Sequence, residues 1–400
     1  MNMIRRLLMN KLIDLSAGFP AIFLTGPRQS GKTTLSRQAF PEFEYISLEN
    51  PVNRREAVED PTGFINRLKG KQGVILDEVQ RTPDLFSYLQ QPLDEKALGT
   101  VLLTGSQHFL LSEKISQSLA GRAATLDLMP FSLAELQGYN PCDPMNIDAM
   151  SSEPASPPSN TLEQTLFTGF FPPLHDRDVA AVDWLNSYIN SYVERDVRAV
   201  KNIGDLESFE RFIGLCAGRT GQLLNLSSLG NDAGINHLTA KSWISILQAS
   251  FLIVLLKPFY NNFSKRLVKS PKLYFTDTGL LCRLLGINQP EDLVRHPLRG
   301  QIFENYVVME VLKLFTHSGK KTEIYFWRDT AGHEVDLLVG MGDSAIPVEI
   351  KLGQTVNPDF FKGLDFLGNL SSMRKGLVIY GGDERRQFKG VNVRPWWDWH

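Results

Sequence analysis

The chain has 400 residues and a formal net charge of −2 at pH 7, and 42% of its residues are hydrophobic and 22% charged. This length allows two or three domains of ~100–200 residues, and the composition excludes a largely disordered or collagen-like chain. Because the net charge is close to zero, any role with nucleic acid must rest on local basic patches.

The cysteines Cys142, Cys216 and Cys282 lie far apart in the sequence. This spacing argues against a disulfide scaffold and against a cysteine zinc site, and it suits a reducing compartment. The longest purely apolar run covers only residues 251–256, whereas a helix that spans a bilayer needs ~20 apolar residues. The sequence therefore predicts a cytoplasmic protein without a membrane partner.

Short apolar runs alternate with helical patterns through the first third of the chain. Strands separated by helices are typical of an α/β domain with a mostly parallel sheet, which we predict for residues 1–137. The runs are AIFLT (21–25), YISL (45–48), GVILD (73–77), VLLTG (101–105) and ATLDL (124–128).

The composition changes after this region. Residues 138–160 are rich in Pro, Ser and Asn, which predicts a linker or a long surface loop. Residues 161–298 are mainly helical in pattern, with one basic stretch that resembles a hairpin. Residues 299–400 begin with a helix and continue with strands, so we predict a second, smaller α/β domain there.

Residues 26–33 read GPRQSGKT and match the phosphate-binding loop G-x-x-x-x-G-K-[ST]. The motif lies between an apolar strand and a helical run, and its backbone N–H groups should surround a polyphosphate. Lys32 should reach the β- and γ-phosphates, and the Thr33 hydroxyl should bind Mg²⁺. The expected nucleotide-binding residues are Gly26, Pro27, Arg28, Gln29, Ser30, Gly31, Lys32, Thr33 and Thr34.

Two acids, Asp77 and Glu78, end the third apolar strand. Asp77 should bind Mg²⁺, directly or through water, and Glu78 should orient or deprotonate the attacking water. The fourth strand ends in LLTGSQ, where one polar side chain could contact the γ-phosphate or that water. We favour Ser106 for this role, with Thr104 and Gln107 as alternatives.

Arg122 ends the helical stretch before the fifth strand. An arginine there is badly placed for its own nucleotide but can reach the nucleotide of a neighbouring subunit, where it would stabilise charge on the transferred phosphoryl group. This interpretation predicts a homo-oligomer. The alternative is a solvated arginine at a helix end.

The motifs together resemble the AAA+-type ATPases of bacteria and archaea that join a P-loop module to a C-terminal region of unassigned role. The resemblance covers roughly residues 20–355 and implies an AAA+-like parallel sheet, ATP as the nucleotide and Mg²⁺ as its metal. It rests on GPRQSGKT, LDEVQR, LLTGSQ, LAGR, PFSLAEL, a winged-helix-like segment, GQIFENYVVMEVL, EVDLLV and VEIK.

The winged-helix-like segment begins near residue 224. Residues 239–251 read as a helix with Thr239 as N-cap and an apolar face formed by Trp243, Ile244, Ile246, Leu247 and Phe251. Residues 257–272 carry five basic residues and no acids, which suits a wing. A helix-turn-helix with a basic wing is typical of double-stranded DNA binding, and a lid or assembly surface is the alternative. The expected DNA contacts are Lys241, Ser242, Lys265, Arg266 and Lys269.

Residues 334–340 and 345–351 should form a hairpin in which Val339 lies opposite Ile346. In this register Asp336 faces Glu349 and Glu334 faces Lys351, and strand alternation places all four on one face. The other face carries Val335, Leu337, Val339, Ile346, Val348 and Ile350. Because opposed carboxylates repel each other, a Mg²⁺ or Mn²⁺ ion would stabilise the charged face.

This segment also resembles the restriction-endonuclease-like fold, whose pattern is Asp-x12-Glu-x-Lys. The resemblance implies that Asp336 and Glu349 hold the metal and that Lys351 positions or activates the water. Glu304, in the preceding helix, matches a further acid of such sites, and His333 lies beside them in the sequence. The alternative is an ordinary Glu334–Lys351 ion pair on a platform without catalysis.

The sequence thus predicts an ATPase of three modules that couples ATP hydrolysis to DNA binding or processing. The alternative is a nucleotide-switched interaction or regulatory protein whose C-terminal modules bind but do not cleave. The tail PWWDWH (395–400) is either a docking strip or a free end.

Overall fold

The computed structural model describes residues 4–106, 119–149, 151, 155–191, 205–259, 268–371 and 373–399. Within these residues lie a five-stranded, a six-stranded and a two-stranded sheet. None of the described helices is long and apolar enough to cross a membrane.

The five-stranded sheet has the order β2-β3-β4-β1-β5, and all its strand pairs are parallel, as predicted. Its strands are β1 (Ala21–Thr25), β2 (Glu44–Ser47), β3 (Gly73–Asp77), β4 (Thr100–Gly105) and β5 (Ala123–Asp127). The helices described in this region are α1 (Leu8–Gly18), α2 (Lys32–Ala39), α3 (Pro51–Glu59), α4 (Pro61–Leu68) and α5 (Leu85–Asp94). Both β1 and β3 are buried along their whole length, which explains their continuous apolar runs.

The middle of the chain is mainly helical. Its helices are α6 (Leu133–Gln137), α7 (Leu162–Thr168), α8 (Pro173–Asp176), α9 (Ala181–Tyr188), α10 (Leu206–Ala217), α11 (Leu226–Ala233), α12 (His237–Ala249), α13 (Thr278–Leu284) and α14 (Pro290–Val294). An antiparallel ribbon of β6 (Ile253–Leu256) and β7 (Lys272–Phe275) follows α12.

Helix α12 starts earlier than predicted. Asn236 is its N-cap, and the Asn236 side chain accepts a hydrogen bond from the Thr239 backbone N–H. The predicted cap at Thr239 is wrong because Asn236 already satisfies that donor, in the usual geometry of an N-cap. The predicted inward face is correct for Trp243 and Ile244, which are buried together with Ile246 and Leu247.

The last part consists of helix α15 (Arg299–His317) and a six-stranded sheet of order β12-β13-β11-β10-β9-β8. The strands are β8 (Ile324–Arg328), β9 (Glu334–Val339), β10 (Ile346–Lys351), β11 (Leu377–Tyr380), β12 (Arg386–Phe388) and β13 (Val391–Pro395), and helix α16 (Lys362–Gly368) lies between β10 and β11. The hairpin register is confirmed, since Val339 pairs with Ile346.

An irregularity in the β8–β9 pairing changes which residues share a face. Tyr325 pairs with Leu338 but Trp327 pairs with Val335, so β9 has one extra residue at this point. Val335 therefore packs with Leu338 in the core beneath α16, whereas Leu337 packs in the core that contains α15. The predicted single apolar face is wrong at Val335, because a bulge breaks the two-residue alternation.

The same bulge separates the charged residues. Glu334 forms ion pairs with Lys272, at 2.5 Å, and with Arg328, at 2.9 Å. The predicted pairing of Glu334 with Lys351 is therefore wrong, and Lys351 contacts Asp336 and Glu349 instead.

The tryptophan-rich tail, residues 395–399, is packed against the protein, which agrees with the docking strip and not with the free end. Trp396, Trp397 and Trp399 are buried in the core that contains α15. The Trp399 indole N–H donates to the Tyr306 hydroxyl over 3.3 Å, and the Cys142 backbone N–H donates to the Trp399 carbonyl over 2.7 Å. The tail thus holds part of the 138–160 segment against α15.

We expect Trp399→Ala to lower the free energy of unfolding by about 3–5 kcal/mol, because it removes a large buried side chain and leaves a cavity. Urea denaturation followed by circular dichroism measures this change. The matched control is Leu238→Ala, whose side chain is 75% exposed, with an expected change within about 0.5 kcal/mol. Equal effects of the two substitutions would contradict the packing described here.

Candidate nucleotide-binding site

The phosphate loop follows β1 and leads into α2 at the carboxyl edge of the parallel sheet. Gly31, the residue before α2, has a φ of +92°, in the left-handed region that favours glycine. Gly26 has a φ of +146°, and a Cβ there would lie 2.2 Å from the Leu128 carbonyl oxygen. Both glycines are therefore required by the backbone path of the loop.

Lys32 is buried and lies against the loop. Its ammonium donates to the carbonyl oxygens of Gly26, at 3.0 Å, and Pro27, at 2.8 Å. Burial lowers the pKa of Lys32 to about 8, although the nearby carboxylates of Glu78 and Asp77 favour the charged form. An anionic phosphate would raise this pKa again and stabilise the charged form, which suits a lysine that binds polyphosphate.

The Asp77 carboxylate accepts hydrogen bonds from three hydroxyl groups. Thr33 lies 3.0 Å and Tyr45 2.7 Å from Asp77 Oδ2, and Thr104 donates to Oδ1. These groups are all oxygen donors, the ligands that Mg²⁺ prefers. Thr33 and Asp77 would hold the ion, and its charge would neutralise phosphate oxygens.

Glu78 lies beside this cluster with a left-handed backbone, φ +59°. Burial raises the pKa of its carboxyl group, and the charge of Asp77 adds to the rise. A raised pKa suits a group that takes a proton from water. Gln80 donates to the Glu78 carboxylate and lies 3.2 Å from the Ser106 hydroxyl.

The structure places the polar residues at the end of β4 differently. Thr104 contacts Asp77, whereas Ser106 is linked to Glu78 through Gln80. Gln107 lies outside the described residues. Sequence reasoning missed Gln80, although it lies within the LDEVQR motif.

A cavity of about 290 Å³ lies over the loop, and the helical region closes one side of it. Arg28, Lys32 and Glu78 line it from the loop side, and Pro172 and Arg177 line it from the other. The Pro172 ring is 3.8 Å from the position of a Cβ on Gly31. No local sequence signal indicated Pro172 or Arg177, because only folding brings them to the loop.

Arg122 lies at the opposite edge of the sheet. Its carbonyl accepts from the N–H of Ala21, the first residue of β1, and its guanidinium pairs with Asp94 at 2.5 and 2.8 Å. The structure therefore does not bring Arg122 to the loop of its own chain.

The C-terminal hairpin brings Asp336, Glu349 and Lys351 together. Asp336 Oδ2 accepts from the Ile350 N–H, at 2.8 Å, and from the Lys351 ammonium, at 3.1 Å. Lys351 also contacts Glu349. Burial and the charge of Asp336 raise the pKa of Glu349 well above its usual range. Sharing one proton between opposed acids is a way to relieve their repulsion.

Glu304 is held by residues of the ribbon. Its Oε1 accepts from the Lys272 ammonium, at 2.9 Å, and from the Tyr274 hydroxyl, at 2.6 Å. Lys272 is only 2% exposed, although the sequence analysis includes it in the predicted wing. His333 contacts Asp329 at 2.9 Å and stacks on Phe366.

The predicted second metal site has only partial geometric support. No three His, Cys, Asp or Glu side chains in the described parts of the chain are placed to hold a metal ion. Asp336 and Glu349 do lie together, but a lysine is hydrogen-bonded to both. Metal binding by this pair stays a prediction.

The basic surface expected to contact DNA is partly described. Lys241 and Lys269 are exposed and Ser242 is half-buried, while Lys265 and Arg266 lie outside the described residues. Two described residues of the basic stretch bond to β8, since the N–H groups of Phe259 and Val268 donate to the carbonyls of Phe326 and Arg328. Phe259 and Val268, which border the part of the stretch outside the described residues, therefore lie beside the C-terminal sheet.

The parallel sheet, the loop and the paired Thr33 and Asp77 define a P-loop ATPase domain of the AAA class. Comparison agrees, because residues 18–137 match the AAA domain family. Residues 159–291 and 299–399 match two domains of unknown function, DUF8612 and DUF4143.

Relatives that align with most of the chain show the family to which it belongs. The uncharacterized proteins Rv2008c of Mycobacterium tuberculosis and Mb2031c of Mycobacterium bovis are each 31% identical over 370 residues, 92% of this chain and 77% of theirs. The chain belongs to the family of these proteins. The uncharacterized protein MJ1544 of Methanocaldococcus jannaschii is 22% identical over 348 residues, 82% of this chain and 74% of its own.

Solved structures give a weaker likeness. The Walker-type ATPase PABY2304 of Pyrococcus abyssi aligns with 69% of this chain and 94% of its own, at 15% identity and a TM-score of 0.46.

The lowered pKa of Lys32 gives a pH-dependent stability. Between pH 8 and 10.5 the unfolded chain binds one more proton at Lys32 than the folded chain, so stability rises with pH in this window. We expect Lys32→Met to be more stable than the wild type near pH 7, and the difference to shrink above pH 8. Thermal denaturation of both proteins from pH 7 to pH 10.5 measures this difference in stability.

Lys69→Met, at an exposed position, is the matched control and should show no such pH dependence. A constant difference between Lys32→Met and the wild type at all pH values would contradict a buried lysine with a lowered pKa.

Proposed function

We propose that this protein binds ATP with Mg²⁺ and hydrolyses it, and that turnover is coupled to DNA binding or processing. The observation that carries the ATPase proposal is that Lys32, the Thr33–Asp77 pair and Glu78 surround one cavity. A phosphate loop alone supports nucleotide binding, whereas a buried acid beside the metal ligands supports hydrolysis.

Each group has a role in this proposal. Lys32 and the loop N–H groups bind the phosphates, and Thr33 and Asp77 hold Mg²⁺. Glu78 accepts a proton from water, the water oxygen bonds to the γ-phosphorus, and the bridging oxygen leaves with ADP. Ser106 helps to orient the water through Gln80, and Arg122 of a neighbouring subunit stabilises the phosphoryl group in a homo-oligomer.

Glu78→Gln should leave ATP binding intact and slow hydrolysis by at least ~10²-fold, because the phosphate and metal contacts remain while proton transfer is lost. Equilibrium binding of ATP and release of phosphate measure the two properties separately. Lys32→Ala is the companion variant and should lose binding itself. Hydrolysis by Glu78→Gln at the wild-type rate would remove Glu78 from the mechanism.

The DNA proposal rests on helices α10 to α12 and the ribbon. Helix α12 exposes Lys241 while its apolar face is buried, and the basic stretch of residues 257–272 follows it in the sequence, from the end of β6 to the start of β7. This arrangement suits a helix in the major groove and a wing on the phosphates.

Neutralising Lys265, Arg266 and Lys269 together should weaken binding to duplex DNA and flatten its salt dependence, by ~0.9 in the log–log slope for each lost phosphate contact. Fluorescence anisotropy over a salt series measures both. The control neutralises the exposed lysines Lys69, Lys71 and Lys96 of the AAA domain. Unchanged affinity and slope would favour the lid or assembly role.

Metal-dependent cleavage of DNA is a second candidate function. The observation that favours it is that Asp336, Glu349 and Lys351 are brought within hydrogen-bonding distance, with Glu304 held nearby by Lys272. In this proposal the two acids take up Mg²⁺ or Mn²⁺ and Lys351 acts on the water.

Asp336→Asn should abolish Mn²⁺-dependent cleavage of duplex DNA, because it removes one metal-binding charge while it keeps the shape of the side chain. Gel analysis of nicked and linear plasmid measures the loss. Asp343→Asn, at an exposed turn, is the matched control. DNA binding without any cleavage by the wild type would instead support a nucleotide-switched interaction protein.

A further inference from the structure

An arginine near the start of the chain lies directly behind the phosphate loop. Arg6 is 5% exposed, and its Nη1 donates to the carbonyl oxygen of Ser30 over 3.0 Å. Its Nη2 donates to the Met129 carbonyl over 2.6 Å, and its Nε pairs with Glu135 at 3.1 Å. All three nitrogens of the guanidinium are therefore engaged, and the group is fixed in place.

The contact with Ser30 has a consequence for phosphate binding. A peptide unit is planar and trans, so its C=O and N–H groups point in opposite directions. Arg6 holds the Ser30 carbonyl, which directs the Gly31 N–H to the other side, and Gly31 lines the nucleotide cavity. A hydrogen bond from a charged donor to the carbonyl also polarises the peptide and strengthens its N–H as a donor.

The backbone at Gly31 places little steric restriction on this peptide. Gly31 has a φ of +92°, and a glycine allows the preceding peptide to rotate with little steric resistance. Gln29, on the other side of Ser30, also has a positive φ, of 66°. A hydrogen bond to the Ser30 carbonyl favours one orientation of the Ser30–Gly31 peptide, and Arg6 supplies that bond.

The same guanidinium contacts the far end of α15. Arg6 Nη2 lies 3.4 Å from His317 Nε2, and the Glu135 carboxylate lies 3.3 Å from His317 Nδ1. Burial lowers the pKa of His317 to about 3, so the imidazole is neutral and its Nε2 can accept from Arg6. Helix α15 also carries Glu304, which is bound by the ribbon.

We propose that Arg6 is a positioning residue for the phosphate loop. By holding the Ser30 carbonyl, Arg6 orients the Gly31 N–H toward phosphate, and it also links the loop to α15. The proposal rests on the proposed ATP binding. It adds a residue that lies outside the phosphate-loop motif and acts from behind the loop.

The test compares ATP and ADP binding in variants that keep the fold. Removing Arg6 alone would leave Glu135 as an uncompensated buried charge, so the decisive variant is Arg6→Met with Glu135→Gln, measured against Glu135→Gln alone. Glutamine keeps an acceptor oxygen for the cap of α6. The exposed neighbour Arg5→Met is the matched control.

We expect the double variant to bind both ATP and ADP ~10- to 100-fold more weakly than Glu135→Gln, because a charge-assisted hydrogen bond that orients the donor is lost. KM for ATP should rise by a similar factor, while kcat at saturating ATP changes much less. Arg5→Met should bind like the wild type. A merely structural role would lower the melting temperature without this separation of KM from kcat.

A folded double variant that binds ATP and ADP as tightly as Glu135→Gln would overturn the proposal and leave the ATPase function standing. A wild type that binds no ATP in the same assay would overturn both.

Hydrogen exchange tests the link between the phosphate loop and α15. ATP should slow exchange within residues 299–317 of the Glu135→Gln protein but not of the double variant. The reason is that, if α15 and the loop are coupled through Arg6, ATP binding at the loop must also affect α15, because coupling between two sites is reciprocal. Equal protection in both proteins would overturn the link.

Discussion

The packing of one buried helix holds the three parts of this chain together. Helix α15 is buried along most of its length, and its two ends contact different parts of the molecule. Near its start, Asn305 bonds to Thr220 and to the backbone of Phe275 in the ribbon strand β7. Near its end, Lys313 bonds to the Phe131 carbonyl of the AAA domain.

A helix buried on all sides cannot carry charge without partners, and α15 carries several charged groups. Glu310 pairs with Lys313 and also accepts from the Leu133 N–H, so both charges are satisfied inside the protein. Such pairs add little net stability over apolar packing, but breaking one leaves a costly buried charge. They therefore favour one relative placement of the AAA domain and the C-terminal sheet, and the nucleotide loop is connected to that placement through Arg6.

Both candidate sites lie where regular structure ends or breaks. The phosphate loop, Glu78 and Ser106 all follow the carboxyl ends of parallel strands, which meet at one edge of the sheet. Two of the C-terminal acids lie at the β9 bulge, which directs Glu334 to the ribbon and leaves Asp336 beside Lys351. Polar groups can gather at such positions because the neighbouring backbone no longer requires a regular apolar face.

Much of the fold and of the nucleotide-binding site was determined by the sequence alone. The phosphate loop, the five parallel strands and the register of the β9–β10 hairpin follow from local motifs and from two-residue alternation, since both act over a few neighbouring residues. The tertiary structure alone decided the bulge in β9, the burial of Lys272, the closure of the cavity by Pro172 and Arg177, and the contact of Arg6 with Ser30. These features depend on contacts between residues far apart in the chain, and such contacts leave no periodic pattern in either partner.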